Sequence, residues 1–526
     1  MLRGAGHEGP SSPREPGAPA SGLAAGRQSY HFDSLGEVIL REGNSQDDAM
    51  AMFACADFRG GHQQSDNGHF SIWYQGYLAV DSGYYDGWGS SHHMNYARRS
   101  IAHNTLTVTM PGESFTNTSH NDGGQQRGCS TTYYNLPAES ADCDECDMYL
   151  SSRTDPYFDF IGADFTASYD PAKVTQVTRE FVWMRPDLFV VFDRVNSTDA
   201  SYPKRFLLHG QGAFTENAGT WHVDHDQGRL FMRPLLPAAA QVVQVGGSGH
   251  EWEIDGTNYQ PSRGDAFAGT HRLEVSPPSA VTFDNFLHVL QVADQTAGAM
   301  PDATLLSAAG ATGVLVGDWV VWFGTTGSID GLSYEIDAGY PVHVIVGDLQ
   351  PQTAYQIQVG DQTFTESSDN NGVLFFEDDR SDQHTVTVGE GTCPDTDGDS
   401  YLDAACGGTD CDDSDAAVHP GATEDCDDGI DNDCDGLTDS ADTPDCGGDD
   451  GGIQDAGEDA GQDAGTDAGT DAGTDAVTDA GTDSGTTSDS DDTGGISGSC
   501  GCGGSPRTSI LLALLAVLIY RRRGIQ

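Results

Sequence analysis

The chain has 526 residues and a formal net charge of −58, which leaves room for two or three domains and excludes nucleic acid as a partner. The charge is unevenly placed: Cys393 to Ser499 holds 32 acidic residues and no Lys or Arg. A polyanionic sugar would be repelled by the chain as a whole, so its binding would depend on a local basic rim, for which Arg98, Arg99, Arg127, Lys204 and Arg205 are candidates.

Residues 1–28 are rich in Gly, Pro, Ala and Ser and lack periodicity, so they read as a disordered N-terminus without the apolar core of a signal peptide. Residues 29–390 then carry short alternating runs separated by Gly, Asn, Asp and Pro. The clearest are Phe181–Trp183, Leu188–Phe192, Phe206–His209, Phe286–Leu290, Val314–Phe323 and Val342–Val346. Short strands at this spacing predict a mainly β fold, a large antiparallel β-sandwich. Arg179, Trp183, Asp193 and Arg194 read as residues that pin it.

The stretch Gly61–Asn104 concentrates chemistry. It holds five of the 17 histidines, His62, His69, His92, His93 and His103, together with Asp66, Asp81 and Asp86. Alternation through Phe70, Ile72 and Tyr74, then Leu78 and Val80, predicts two strands joined at Gln75-Gly76. If the first strand extends backwards, His62, Gln64 and Asp66 share one of its faces. A turn at Ser82-Gly83 would bring Asp81 back over that face, and His103 precedes a further strand from Asn104 to Val108. Cys55, Cys129, Cys143 and Cys146 lie in the same region. Without a second Cys-x-x-Cys pair, disulfide use in an exported protein is favoured over a zinc ribbon.

Residues 391–447 form a small Cys- and Asp-rich module. In DTDGDSYLD, Asp395, Asp397, Asp399 and Asp403 fall at calcium-loop spacing, and DNDCDGLTD repeats it with Asp431, Asp433, Asp435 and Asp439. Alternating oxygen ligands let a tight turn wrap one hard cation, so calcium is the expected ion; a disulfide-held spacer is the alternative. Residues 448–496 repeat Asp-Ala-Gly-Thr and read as an extended, disordered linker. In 497–526, a Cys-Gly-Cys sequence, the apolar run 510–520 and three arginines follow one another, and the run is shorter than an ordinary membrane span.

In their order and spacing, several segments resemble the heparinase II/III family of polysaccharide lyases. They are GHQQSDNGHF, GYLAVDSGYY, NYARRSIAHNTLTV, VTREFVWMRPDLFVVFDRV at 177–195, RLFMRPLLP at 229–237, HRLEVSP at 271–277 and DNFLHVLQVAD at 284–294. The resemblance spans about 30–390. It implies a sandwich of the lyase supersandwich type and β-elimination on a uronic-acid polysaccharide: a base removes the proton next to the carboxylate and an acid protonates the leaving oxygen. It assigns His62 to catalysis and places Gln64, Asp81 and His103 around a divalent metal, zinc or calcium. Gln64 stands where many members have histidine and offers a carbonyl oxygen in its place, which argues for a harder or weaker site. Arg98, Arg99 and Tyr96 are the candidate substrate-binding residues. The α/α-toroid usual in the family, which supplies the catalytic tyrosine, has no counterpart in this sequence; Tyr84, Tyr85 and Tyr96 lie near the site, but no motif assigns one of them that role.

Residues 393–446 resemble the MopE-type cysteine-rich metal-binding repeat. The last segment is similar to the myxobacterial C-terminal sorting signal, which would make Cys500 the processing point and the envelope's sorting machinery a partner. The expectation is a polysaccharide lyase, or the β-region of one, at the cell surface, anchored to the outer membrane or secreted. A non-catalytic carbohydrate-binding or structural surface protein is the alternative.

Overall fold

Alternation settles most of the strands. In Glu37–Arg41 and Met50–Ala54 every second side chain is buried, Val38 and Leu40 in one and Ala51 and Phe53 in the other, as a half-buried pleated ribbon requires. The computed structural model describes residues 28–43, 45, 47–57, 63–126, 145–151, 157–262, 267–390, 396–399, 401, 410–426 and 428–438. The chain divides after Asp450 into two units, and every described residue belongs to the first. The linker, the sorting segment and Cys500 lie outside the described residues.

Within them the fold is mainly β, as expected, with 28 strands. An antiparallel five-stranded sheet runs in chain order from Gln28–Phe32 to Tyr77–Ala79, and a four-stranded sheet contains Leu106–Val108, Lys204–Gly210, His271–Ser276 and Gln241–Gly246. Both pack on one face of an eight-stranded antiparallel sheet centred on Val174–Met184, Leu188–Ser197 and Phe283–Asp294. The opposite face of that sheet packs on a second five-stranded sheet, which in turn covers a four-stranded one. Alternate side chains therefore enter different cores: Phe181, Trp183, Phe189 and Val191 point one way, Val182, Met184, Val190 and Phe192 the other. This double burial explains why the stretch reads as a near-continuous apolar run.

Two details differ from the sequence expectation. Residues 63–67 form no strand, so Gln64 and Asp66 do not share a strand face; the strand begins at His69. Side chains and loops hold this backbone instead. Ser65 N–H donates to Arg98 O, Asn67 N–H to Gln125 Oε1, and the Asn67 carboxamide bonds Ala56 through both of its ends. Gly68 follows at φ 80°, with Phe165 so close that an added Cβ would lie 2.5 Å from its ring. The second difference is that one strand pair, Trp319–Gly324 with Val342–Val346, is parallel.

Cys55 and Cys146 form a disulfide across 91 residues, so the bond expected in this region exists but does not close the Cys143-x-x-Cys146 motif. Cys411–Cys434 closes the acidic module.

Candidate functional site

Two backbone hydrogen bonds carry Asp81 to its place. Val80 N–H donates to His209 O and Ser82 N–H to Ala102 O, so the residue between them lies beside His103. His103 Nδ1 sits 2.8 Å from Asp81 Oδ1; the histidine is fully buried, whereas the aspartate side chain is 48 % exposed. Burial opposes the imidazolium, but the Asp81 carboxylate, with Asp66 further off, outweighs it and raises the His103 pKa.

Two more histidines stand behind this pair. His69 lies edge-on to His103, with ring centres 5.5 Å apart. Its Nδ1 accepts the Asn104 N–H, so Nε2 carries the proton toward Ser71 Oγ, and burial lowers its pKa to about 3. His209 bonds Asn104 Oδ1 and Ile101 O, and burial holds its pKa well below the usual histidine range. Asn104 is the hub: its amide donates to Phe70 O and Val80 O, its carbonyl accepts His209 N–H, and its own backbone carbonyl accepts from Arg179. Arg179 is anchored by Asp193 at 2.5 Å and also donates to Gly68 O. The central sheet thus grips both loops that frame the site.

Of the expected metal-site residues, Asp81 and His103 come together directly. Gln64 Oε1 is buried without a hydrogen bond, as is His103 Nε2, while His103 Nδ1 is taken by Asp81. Oxygen and nitrogen donors of these kinds suit a divalent cation, and Asp81 and His103 are the two that the structure brings together. His62, the expected catalytic residue, lies outside the described residues.

The expected substrate-binding residues are interior. Tyr96 is 0 % exposed, packs with Ile101, Leu207 and Trp252, and bonds Ser82 Oγ at 3.0 Å. Arg99 is 4 % exposed, pairs with the buried Asp122 at 2.8 Å and lies over Phe115. Arg98 is 9 % exposed and approaches Met94 Sδ. Lys204 is likewise committed, to Asp284 at 2.8 Å. Two surface aromatics lie nearby in the chain: Tyr85, at the end of the GYLAVDSGYY segment, and Trp88, outside the matched segments, are 51 % and 59 % exposed, and both flank His93. His92 is fixed otherwise, accepting the Tyr84 N–H and donating to Tyr259 O.

In the acidic module, Asp397 and Asp399 gather with Asp410, and Asp431 and Asp433 gather with Glu424. Asp410 and Glu424 were not among the expected ligands. Asp435 instead turns its N–H to Asp431 and Asp433. Asp395, Asp403 and Asp439 lie outside the described residues.

Residues 24–279 match the family described as "Heparinase II/III-like, C-terminal", and residues 410–440 match one described as "Putative metal-binding motif". No curated protein matches the chain. Similar solved structures include a heparinase III (the BT4657 gene product), with 16% identity over 58% of this chain and 43% of its own and a TM-score of 0.42. The heparan sulfate lyase HepC of Pedobacter heparinus has 13% identity over 55% and 41%, with a TM-score of 0.39. The chondroitin AC lyase of Streptomyces coelicolor A3, solved with chondroitin sulphate, has 10% identity over 71% and 51%, with a TM-score of 0.31. The chain thus spans about two fifths to one half of the length of these lyases. Residues 24–279 are thus similar to the C-terminal region of heparinase II/III-like proteins, and residues 410–440 to the family described as "Putative metal-binding motif".

Proposed function

We propose that the chain is the β-region of a polysaccharide lyase that acts by β-elimination on a uronic-acid polysaccharide and is displayed at the cell surface. The observation that carries this reading is the Asp81–His103 pair, which lies in a segment that matches the heparinase II/III-like C-terminal family. In elimination the substrate carboxylate must be neutralised before the adjacent proton can leave. A divalent ion held by Gln64, Asp81 and His103 would supply positive charge and fix these loops. His62 is the candidate catalytic residue. His69, neutral and locked by Asn104 and Ser71, orients the site without taking part in proton transfer. Tyr85 and Trp88 offer exposed rings on which a sugar can stack. The acidic module, by its oxygen donors, is a calcium binder that stands between the sandwich and a C-terminal sorting signal processed at Cys500.

Binding tests this most simply. In affinity electrophoresis with heparan sulfate, chondroitin sulfate, alginate and neutral dextran, the wild-type chain should be retarded by at least one uronic polymer and not by dextran, and His62→Ala should weaken the retardation. Release of unsaturated uronyl product by this chain should be slow, because no motif in the sequence assigns a tyrosine as the acid. Absence of retardation by every uronic polymer would overturn the reading.

A further inference from the structure

The acidic module gathers charge that its own segment cannot answer. Asp397, Asp399 and Asp410 each offer a carboxylate oxygen, and these oxygens lie within 4.8 Å of one another. Asp410 is 0 % exposed. Its Oδ1 accepts the Asp412 N–H at 2.9 Å, while its Oδ2 is buried with no hydrogen bond. Asp399 is similar: one oxygen accepts the Tyr401 N–H at 2.7 Å and the other, also buried, has no hydrogen bond. No Lys or Arg occurs between Cys393 and Ser499. A buried carboxylate with an unanswered oxygen, facing two others, requires a proton or a cation to offset its desolvation and the mutual repulsion.

We propose that Asp397, Asp399 and Asp410 bind one hard divalent cation, calcium by donor chemistry, and that Asp410 is the ligand that staples the 396–399 turn to the disulfide-closed stretch beyond it. The inference rests on the calcium reading of the module and deepens it, because the ion takes a ligand from outside the local 395–403 loop. The arrangement is prepared for that. Cys411, next to Asp410, is bonded to Cys434, which fixes the backbone behind the buried carboxylate. Thr396 donates its N–H and its hydroxyl to Asp413, which holds the two segments side by side. Gly398 takes φ 83°, the left-handed turn that lets Asp397 and Asp399 converge. All three donors are carboxylate oxygens, a set that suits calcium and disfavours copper and zinc, which prefer nitrogen and sulfur.

The test is calorimetric titration of calcium into the chelator-stripped full chain with its disulfides intact. Asp410→Asn should bind one equivalent fewer than wild type, Asp397→Asn should lose the same equivalent, and the double variant should lose no more. The exposed Asp415→Asn should match wild type. If Asp397→Asn loses an ion that Asp410→Asn retains at wild-type affinity, the local loop suffices and the staple is overturned while the calcium reading stands. If wild type takes up no calcium, both fall. Hydrogen–deuterium exchange on the wild-type chain gives an answer that does not depend on how the variants fold. Calcium should slow exchange of 396–399 and 410–413 together; slowing confined to 396–399 would overturn the proposal.

Discussion

Asn104 organises the site although the chemistry is assigned to its neighbour. Its carboxamide and backbone bond Phe70, Val80, His69, His209 and Arg179, and it is 0 % exposed. Asn104→Ala should destabilise the protein by about 3 kcal/mol, since it leaves several buried polar groups unanswered. Urea unfolding measures this, and a loss below about 1 kcal/mol would show that water replaces the hub. Asp81 and His103 were legible in the sequence because the motifs that carry them fix their spacing. Asn104 sits in the same Ala-His-Asn run, yet nothing in a sequence says that a carboxamide will be the junction of three strands. The burial of Arg99 and Tyr96 was not legible: charged and phenolic side chains are exposed by default, and burial of Arg99 depends on Asp122, 23 residues away and visible only in space.

At the scale of elements, the eight-stranded sheet carries the molecule. Its strands were readable because alternation and apolar runs are local properties, whereas the parallel pair joining Trp319–Gly324 to Val342–Val346 depends on a crossover that no local pattern marks. One buried residue of this sheet should govern acid stability. His288 is 0 % exposed, lies 4.1 Å from the Phe206 ring centre, and has no hydrogen bond at either ring nitrogen. Burial lowers its pKa to about 3. The unfolded chain therefore binds the proton first as pH falls below the ordinary histidine value. The stability contributed by neutral His288 is complete above that value and is lost toward pH 3, at about 1.4 kcal/mol per pH unit. His288→Phe should move the acid-unfolding midpoint to lower pH, as followed by tryptophan fluorescence; an unchanged midpoint would mean that this histidine does not set acid stability. The Cys55–Cys146 bond ties the loop before the site to the edge of the same sheet. Because it closes a long loop, replacing both cysteines by serine should cost about 2–4 kcal/mol in chemical denaturation. No change would show that the unfolded chain is little constrained by the bond.

At the scale of the whole molecule, charge partition was the plainest feature of the sequence. The match to the heparinase II/III-like C-terminal family ends at residue 279 while the β-fold continues to Glu390. The module's acidic clusters were only half legible. Alternating aspartates announce themselves by spacing, but Asp410 and Glu424 reach their clusters through the fold of the loop. The central claim is that the loops framed by Asn104 and Arg179 build a divalent-metal site from Gln64, Asp81 and His103. Asp81→Ala tests it most directly, through total metal content by mass spectrometry and thermal melting of the purified full chain. The variant should hold one equivalent of divalent metal fewer than wild type. It should also melt at a lower temperature, because an ion bound only by the native state stabilises it by about 2.7 kcal/mol at a hundredfold excess over its dissociation constant. The same metal content and melting temperature in both proteins would contradict the account and leave Asp81 and His103 as an ion pair that only holds two loops together.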